Sequence, residues 1–283
     1  MKTKDWLWLA VLAGFAALIW CRDLSWVGNA SEVLPILGAV PVFIWLGAPW
    51  RFNANPFGIC VTTLVIAVGL FLAGTLFNLT ILMALSWTLA AWSWLKVRLE
   101  PADRPRINRL LVLLIMTFPW VTLDAGEVGW WFRLSAAWVT QHVCLLAGLT
   151  VTRDGTFLNV QGLPISVEAA CSGLKALQAM LIAGTMLAFI QLGRSRVYWW
   201  SLPLLIALAW LANTARVFML TAVALTFGTE FAEGWFHAWG GWFVLMSMFA
   251  LCWITFALLN WQFPPAKASP SQAPAPAPDP AKS

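Results

Sequence analysis

Apolar runs about as long as a membrane-crossing helix repeat along most of this chain. They lie at 6–20, 33–50, 57–74, 76–95, 107–123, 170–192, 197–227 and 237–261. Only 10% of the 283 residues are charged, whereas a soluble domain carries about a quarter. Such a chain cannot cover a soluble surface with polar groups. The sequence therefore predicts an all-α, polytopic integral membrane protein with about eight transmembrane helices, which places it in the lipid bilayer.

The charge and the cysteines exclude several classes of function. The formal net charge is +5, but the basic residues are scattered among short loops and form no stripe, so no nucleic-acid partner is expected. The five cysteines contain no CxxC pair, which favours neither a disulfide framework nor a zinc site. We expect no metal and no organic cofactor. Four of the cysteines are interpreted as small buried apolar residues: Cys21, Cys60, Cys144 and Cys252.

The positive-inside rule orients the chain. With the N-terminus in the cytoplasm and eight crossings, the C-terminus is cytoplasmic too. Most basic residues then face the cytoplasm: Lys2, Lys4, Arg51, Lys96, Arg98, Arg104, Arg106, Arg109, Arg194, Arg196, Lys267 and Lys282. The five remaining basic residues lie on or toward the outer side: Arg22, Arg133, Arg153, Lys175 and Arg216.

Three segments are predicted not to cross the bilayer. The segment 128–149 contains Arg133 and is interpreted as an amphipathic or re-entrant helix on the outer face. The segment 149–170 has turn signals at Asp154-Gly155 and at Gly162, which predict a small β-hairpin-like periplasmic loop. Residues 264–283 are rich in Pro and Ala and predict a disordered cytoplasmic tail after a membrane domain at 1–263, whose first span is uncleaved.

Cys171 follows the predicted outer loop and precedes an apolar run in the stretch EAACSGLKALQ (168–178). At the N-terminus of a helix, the macrodipole and the unpaired N–H groups lower the pKa of a thiol, and Lys175 one turn later acts in the same direction. Ser172 and Gly173 are small enough for a substrate backbone to approach closely. The alternative is that Cys171 is one more buried membrane cysteine.

Two other residues are predicted to reach the same face. Arg216, in LANTARVFML (211–220), lies about 27 Å along its span from Tyr198, near the outer boundary. A charge within a span is costly and is usually functional, although a snorkelling arginine is the alternative. Asn213 lies on the same helix face and could orient Arg216.

His237, in EGWFHAWGGW (233–242), begins the last span at its outer end. Gly240 and Gly241 would let a neighbouring helix or a substrate come close. A lone histidine is more often structural than catalytic, and His142, the second histidine, is assigned a structural or interfacial role. A thiolate, an imidazole and a cation at one membrane level form a complete set for acyl transfer.

The ordered trio ACSGLK, NTARV and HAWGGW on a polytopic chain resembles the exosortase/archaeosortase family, over about residues 30–262. Histidine at the third position is similar to the bacterial branch. The resemblance implies that Cys171 is the nucleophile and that Arg216 and His237 complete the site. Glu168, three residues before the cysteine, matches a position where members vary.

The resemblance also implies the substrate class and the location. Members cleave a C-terminal sorting tail from exported proteins, consisting of a short motif (Pro-Glu-Pro in the best-known class), a membrane span and basic residues. We therefore expect a cysteine peptidase or transpeptidase in the bacterial inner membrane with its site facing the periplasm. The acceptor, whether an amine, a lipid or a polysaccharide, is left open. The alternatives are a transporter or permease and a polysaccharide-export assembly subunit.

Overall fold

The computed structural model describes residues 3–28, 30–53, 58–124, 127–167 and 174–264. Its helices are α1 (Thr3–Trp20), α2 (Ala30–Gly47), α3 (Val61–Leu76), α4 (Thr80–Arg98), α5 (Arg104–Ile115), α6 (Trp120–Leu123), α7 (Glu127–Leu146), α8 (Leu174–Leu192), α9 (Tyr198–Phe227) and α10 (His237–Gln262). Its strands are β1 (Val151–Asp154), β2 (Phe157–Val160) and β3 (Leu163–Ser166). A 3-10 turn, Ser25–Gly28, follows α1, and a helical turn, Thr229–Phe231, with a π-helical turn, Ala232–Phe236, precedes α10.

Three helices of the described chain are long and apolar enough to cross a membrane. They are α4, α9 and the Trp242–Gln262 part of α10. Shorter apolar helices occupy Asp5–Trp20, Val33–Gly47, Val61–Leu76 and Met180–Leu192. The protein is therefore mostly helical with several membrane-type helices, and the number of eight spans stays a prediction.

The predicted span at 107–123 is wrong as a single helix. Helix α5 ends at Ile115, and the four-residue helix α6 begins at Trp120. Pro119 explains the break, because a proline disfavours the helical conformation of the residue before it and supplies no N–H. The 12 residues of α5 span about 18 Å, which is less than the hydrocarbon thickness of about 30 Å.

Side chains from other helices bond the carbonyl groups exposed by this break. Trp20 on α1 donates its indole N–H to the Thr117 carbonyl at 2.9 Å. The buried Gln178 on α8 donates its amide to the carbonyls of Met116 and Phe118, both at 2.9 Å. Because unpaired backbone groups are costly in hydrocarbon, these bonds let the chain leave helical geometry inside the bundle.

Helix α8 lies at the centre of the main core, where it packs against α2, α5, α6, α9 and α10. Its contact with α9 is close at Gly184, where a Cβ atom would lie only 2.4 Å from Leu205 Cδ2. The segment that follows the predicted nucleophile is therefore a helix that packs against five others.

Basic side chains close helix ends at one end of the bundle. Arg106 donates to the carbonyls of Gly47, Ala48 and Pro49 after α2, and Arg109 donates to the Gly193 carbonyl after α8. Arg98, in the last turn of α4, pairs with Asp5 of α1 at 2.5 Å. The predicted clustering of the 96–109 arginines at one face agrees with these contacts, which also orient the cations favourably toward helix C-termini.

The segment after α7 forms a three-stranded antiparallel sheet in the order β1-β2-β3. The sequence predicts one hairpin here, whereas the structure has two successive hairpins that share β2. The pairs Asp154–Phe157 and Val160–Leu163 close both connections with two residues each. Gly155 has φ 58°, and Gln161 and Gly162 have φ 53° and 85°. These positive φ values fit the turn types that the right-handed strand twist favours.

Residues 265–283 and the first two residues lie outside the described chain, so the predicted tail at 264–283 stays a prediction.

The N-terminus of α4 supplies a test of this fold. The buried carboxylate of Asp124 accepts the N–H of Thr80 at 2.8 Å and that of Ile81 at 2.7 Å. We expect Asp124→Ala to lower the free energy of unfolding by roughly 1.5–3 kcal/mol, because two helix N–H groups lose a charged acceptor. Thermal or denaturant unfolding of the purified protein in detergent measures this change.

Asp103→Ala is the matched control. Asp103 precedes α5 but makes no capping bond, and its carboxylate lies 3.5 Å from the Arg106 guanidinium. Its loss should lower the free energy of unfolding less than the loss of Asp124 does, because it removes no bond to a helix N–H group. Equal effects of the two substitutions would contradict the capping role of Asp124.

Candidate functional site

The predicted nucleophile lies in a gap between two described elements. Cys171 falls outside the described residues, together with Glu168, Ser172 and Gly173. The chain before the gap ends at Val167, just after β3, and the chain after it resumes at Leu174, where α8 begins. Lys175 is the second residue of α8. The structure therefore fixes the two segments that flank the predicted nucleophile.

A second buried cluster joins the sheet to three other segments. Val167 is fully buried in this cluster, four residues before Cys171. Val217, next to Arg216 on α9, is fully buried in it too, and so is Ala232, five residues before His237. Its other buried members are Ala136, Ala137, Leu158, Val160, Ile165 and Ala224. Chain segments next to all three predicted site residues thus share one apolar core, which we call the sheet cluster.

Helix α9 carries Arg216 and Asn213. Its 30 residues extend about 45 Å, longer than a hydrocarbon core of about 30 Å. Both side chains are half-buried, and each takes part in an interaction. They are three residues apart on one helix face, as the sequence predicts, and the sheet cluster contacts α9 from Val217 onward.

His237 is the first residue of α10, directly after the π-helical turn Ala232–Phe236. Turns of this kind are rare and are frequent at functional sites. Gly240 is buried, and a Cβ atom there would lie 3.0 Å from the Phe236 ring. Its small size therefore leaves room for the Phe236 ring, and the close approach of a neighbouring helix or a substrate stays a prediction. Gly241 follows in the same helical turn.

Helix α7 connects the sheet to α9. Its Ser135 hydroxyl accepts the Trp210 indole N–H at 2.9 Å, and its Gln141 carbonyl accepts the Arg153 guanidinium at 3.0 Å. His142 is exposed. The centroid of its ring lies 4.1 Å from that of the Trp138 ring, with the two rings tilted, and its Nδ1 lies 2.8 Å from the Trp138 backbone carbonyl oxygen. Its contacts are with its own helix, which agrees with a structural or interfacial role.

The other cysteines differ in exposure. Cys144 and Cys252 are buried, as expected for small apolar residues. Cys21 is exposed and Cys60 is half-buried, so the expectation is wrong for these two. Both lie at a helix end, Cys21 after α1 and Cys60 before α3, where packing is less complete than at the helix centre.

Gln178 is the residue of this region that the sequence analysis missed. It lies within the stretch that contains Cys171, but neither its burial nor its acceptors are visible in a local pattern. The dipeptide Phe118-Pro119, 60 residues earlier, is the sequence signal for a helix break whose free carbonyl groups need hydrogen-bond donors from other segments.

No group of three or more His, Cys, Asp and Glu side chains that could hold a metal ion occurs within the described residues.

Comparisons with known proteins give one match. A family model described as transmembrane exosortase (Exosortase_EpsH) matches residues 7–254. The matched range reaches from α1 into α10 and includes the sheet and the gap at 168–173. No curated protein and no solved structure matches the chain.

The sheet cluster can be tested by overpacking. Ala137 of α7 is fully buried in the sheet cluster. We expect Ala137→Leu to lower the free energy of unfolding by roughly 1–3 kcal/mol, because the added volume must displace neighbours. It should also accelerate tryptic cleavage after Arg153, since the sheet is then held less firmly. Val143→Leu, at an exposed position of the same helix, should change either quantity little. Similar effects of both variants would show that the sheet does not depend on this packing.

Proposed function

Because this membrane protein belongs to the transmembrane exosortase family, we propose that it is a cysteine peptidase or transpeptidase that cleaves C-terminal sorting tails from exported proteins. The observation that carries the proposal is the sheet cluster. It holds Val167, Val217 and Ala232 in one core, next to the three residues to which we assign the chemistry. Val167 precedes Cys171 by four residues in the chain, a separation of at most about 14 Å.

The reaction follows from the three residue types. The Cys171 thiolate attacks the scissile carbonyl carbon and forms a tetrahedral oxyanion, which the Arg216 guanidinium stabilises. The C–N bond then breaks, and His237 protonates the leaving amine, which departs with the tail. A thioester remains on Cys171. Attack by an amine gives transpeptidation, and attack by water gives hydrolysis.

The supporting residues have narrower roles in this proposal. Lys175, in the first turn of α8, adds positive charge near the thiolate. Asn213, one turn before Arg216, orients the guanidinium. Glu168, Ser172, Gly173 and Gly241 border the substrate path, where small residues let a peptide backbone approach.

We place the site at the periplasmic face of the bacterial inner membrane. Arg109, Gly193 and Tyr198 meet where α9 begins, and positive charge favours the cytoplasmic side. Arg216 is about 27 Å further along α9, near the opposite boundary. The substrate's own apolar tail segment would then lie in the bilayer and present its peptide bond at that boundary.

A transporter would use the same features differently. Transporters of the broken-helix kind bind ions with unwound carbonyls in paired, corresponding helices. In the described chain the break between α5 and α6 has three carbonyls already bonded, by Trp20 and Gln178. These groups are therefore engaged within the protein, which favours a structural break over an ion site.

Cys171→Ala tests the cysteine mechanism. We expect it to abolish cleavage of a reporter that carries a sorting tail, because the nucleophile is lost, while the protein still accumulates in the membrane. Cleavage is measured by the size shift of the tagged reporter in cells with equal amounts of each variant. Cys21→Ala and Cys144→Ala should retain substantial activity. Full processing of the reporter by Cys171→Ala would refute the mechanism.

Arg216→Lys tests the oxyanion role. A lysine keeps the charge but loses the planar fork of donors, so we expect Arg216→Lys to fail almost as badly as Arg216→Ala. Loss of one oxyanion donor typically slows the reaction about 100- to 1000-fold. Single-turnover cleavage rates measure the effect. The control is Arg196→Lys, at an exposed arginine just before the start of α9. A near-normal rate for Arg216→Lys would mean that only the positive charge of Arg216 matters, and it would contradict the oxyanion role.

A further inference from the structure

Gln178 is one of the buried polar side chains of α8, and the proposed chemistry does not use it. It is 4% exposed and lies five residues after the gap that contains Cys171. Its Nε2 donates both hydrogens, to Met116 O and to Phe118 O, at 2.9 Å each. Two hydrogen bonds from one amide to backbone carbonyls fix both the direction and the distance of the side chain.

The acceptors of Gln178 belong to a segment that is itself held firmly. The Thr117 carbonyl between them accepts the Trp20 indole N–H, and the Thr117 hydroxyl donates to Leu114 O at 2.7 Å. Met116 and Phe118 are buried in the main core. The break between α5 and α6 is therefore a fixed support, to which Gln178 attaches α8.

Gln178 attaches the N-terminal end of α8, which directly follows the gap at 168–173. Leu174, the first described residue of α8, is four residues before Gln178 and lies on the same helix face. Farther down, Gly184 fixes the distance between α8 and α9 through its contact with Leu205. Two contacts thus fix the position of α8: Gly184 packs against α9, and Gln178 is hydrogen-bonded to the α5–α6 break.

We propose that Gln178 is a positioning residue for the reaction. By holding the N-terminal end of α8 against the α5–α6 break, it sets the rotation and height of that helix end, which follows Cys171 in the chain, relative to Arg216 on α9. This inference rests on the proposed function. Reacting groups must be held within a fraction of an ångström, and a misplacement of about 1 Å can slow a reaction about 100-fold. A loosened α8 would therefore reduce turnover more than substrate binding.

The chain offers a matched control on the same helix. Gln191 is half-buried near the other end of α8, and its Nε2 has no hydrogen-bond partner among the described residues. Gln191→Leu and Gln178→Leu therefore make the same chemical change in one helix, and only the second removes bonds to another segment. Gln178→Asn is a milder variant, since it keeps the amide but shortens the side chain.

The experiment compares these variants with the wild-type full-length chain in proteoliposomes. The substrate is a reporter with a C-terminal Pro-Glu-Pro motif, an apolar segment and basic residues, and kcat and KM are measured with the melting temperature. We expect Gln178→Leu to lower kcat about 10- to 100-fold with KM nearly unchanged. Gln178→Asn should lie between it and the wild type, and Gln191→Leu should match the wild type.

Each outcome decides one question. If the wild type does not cleave the reporter, or Cys171→Ala cleaves it normally, the proposed function fails. If the wild type cleaves and Gln178→Leu keeps its kcat, or changes KM alone, only the positioning role of Gln178 fails. If Gln178→Leu does not accumulate in the membrane, Gln178→Asn decides, and a wild-type kcat for it overturns the inference. An equal loss of kcat in Gln191→Leu overturns it as well.

Discussion

Backbone N–H and C=O groups have no water to bond with inside a bilayer, and this fold depends on how its helix ends and breaks meet that constraint. The solution recurs throughout the structure: a side chain from a distant segment closes the end. Asp124 caps the start of α4, and Gln178 and Trp20 close the break after α5. Arg106 and Arg109 do the same for the carbonyls after α2 and α8. Each bond satisfies a backbone group and also ties two segments together.

These hydrogen bonds restrain α8 more than apolar packing alone would. A helix surrounded by apolar side chains alone is free to rotate or slide by small amounts, since dispersion contacts have little direction. Hydrogen bonds at Gln178 remove that freedom at one end, and the close approach of Gly184 to Leu205 limits it in the middle. The sheet cluster then fixes β3, α9 and the turn before α10 relative to each other. The two kinds of constraint therefore act on the segments on either side of residues 168–173: the sheet cluster on Val167 before them and the bonds of Gln178 on α8 after them.

The parts of this structure that local pattern determines could be predicted from the sequence. Apolar runs locate most of the long helices, and the glycines at 155 and 162 mark both strand connections. The break at 116–119 was missed because its stability comes from Trp20 and Gln178, which are remote in sequence. Phe236 and Gly240 are four residues apart, so their contact is one that helical spacing can predict. Of the site, the residue types and their order could be predicted, whereas Gln178 required the fold.

The polar side chains that lie in or next to the apolar helices fall into two groups, according to whether they bond backbone groups at a helix end or break. Asp124 and Gln178 are accounted for by the backbone groups they satisfy. Arg216 is different, because α9 is helical on both sides of it from Tyr198 to Phe227, and so it closes no gap in its own helix. A charge at this depth still costs free energy, by about 2.5–3.5 kcal/mol at a helix centre on insertion scales and less near the boundary. Arg216 takes part in an interaction, and it lies next to Val217 in the sheet cluster that also holds Val167 and Ala232. We propose that its role in catalysis offsets the cost of placing the charge there.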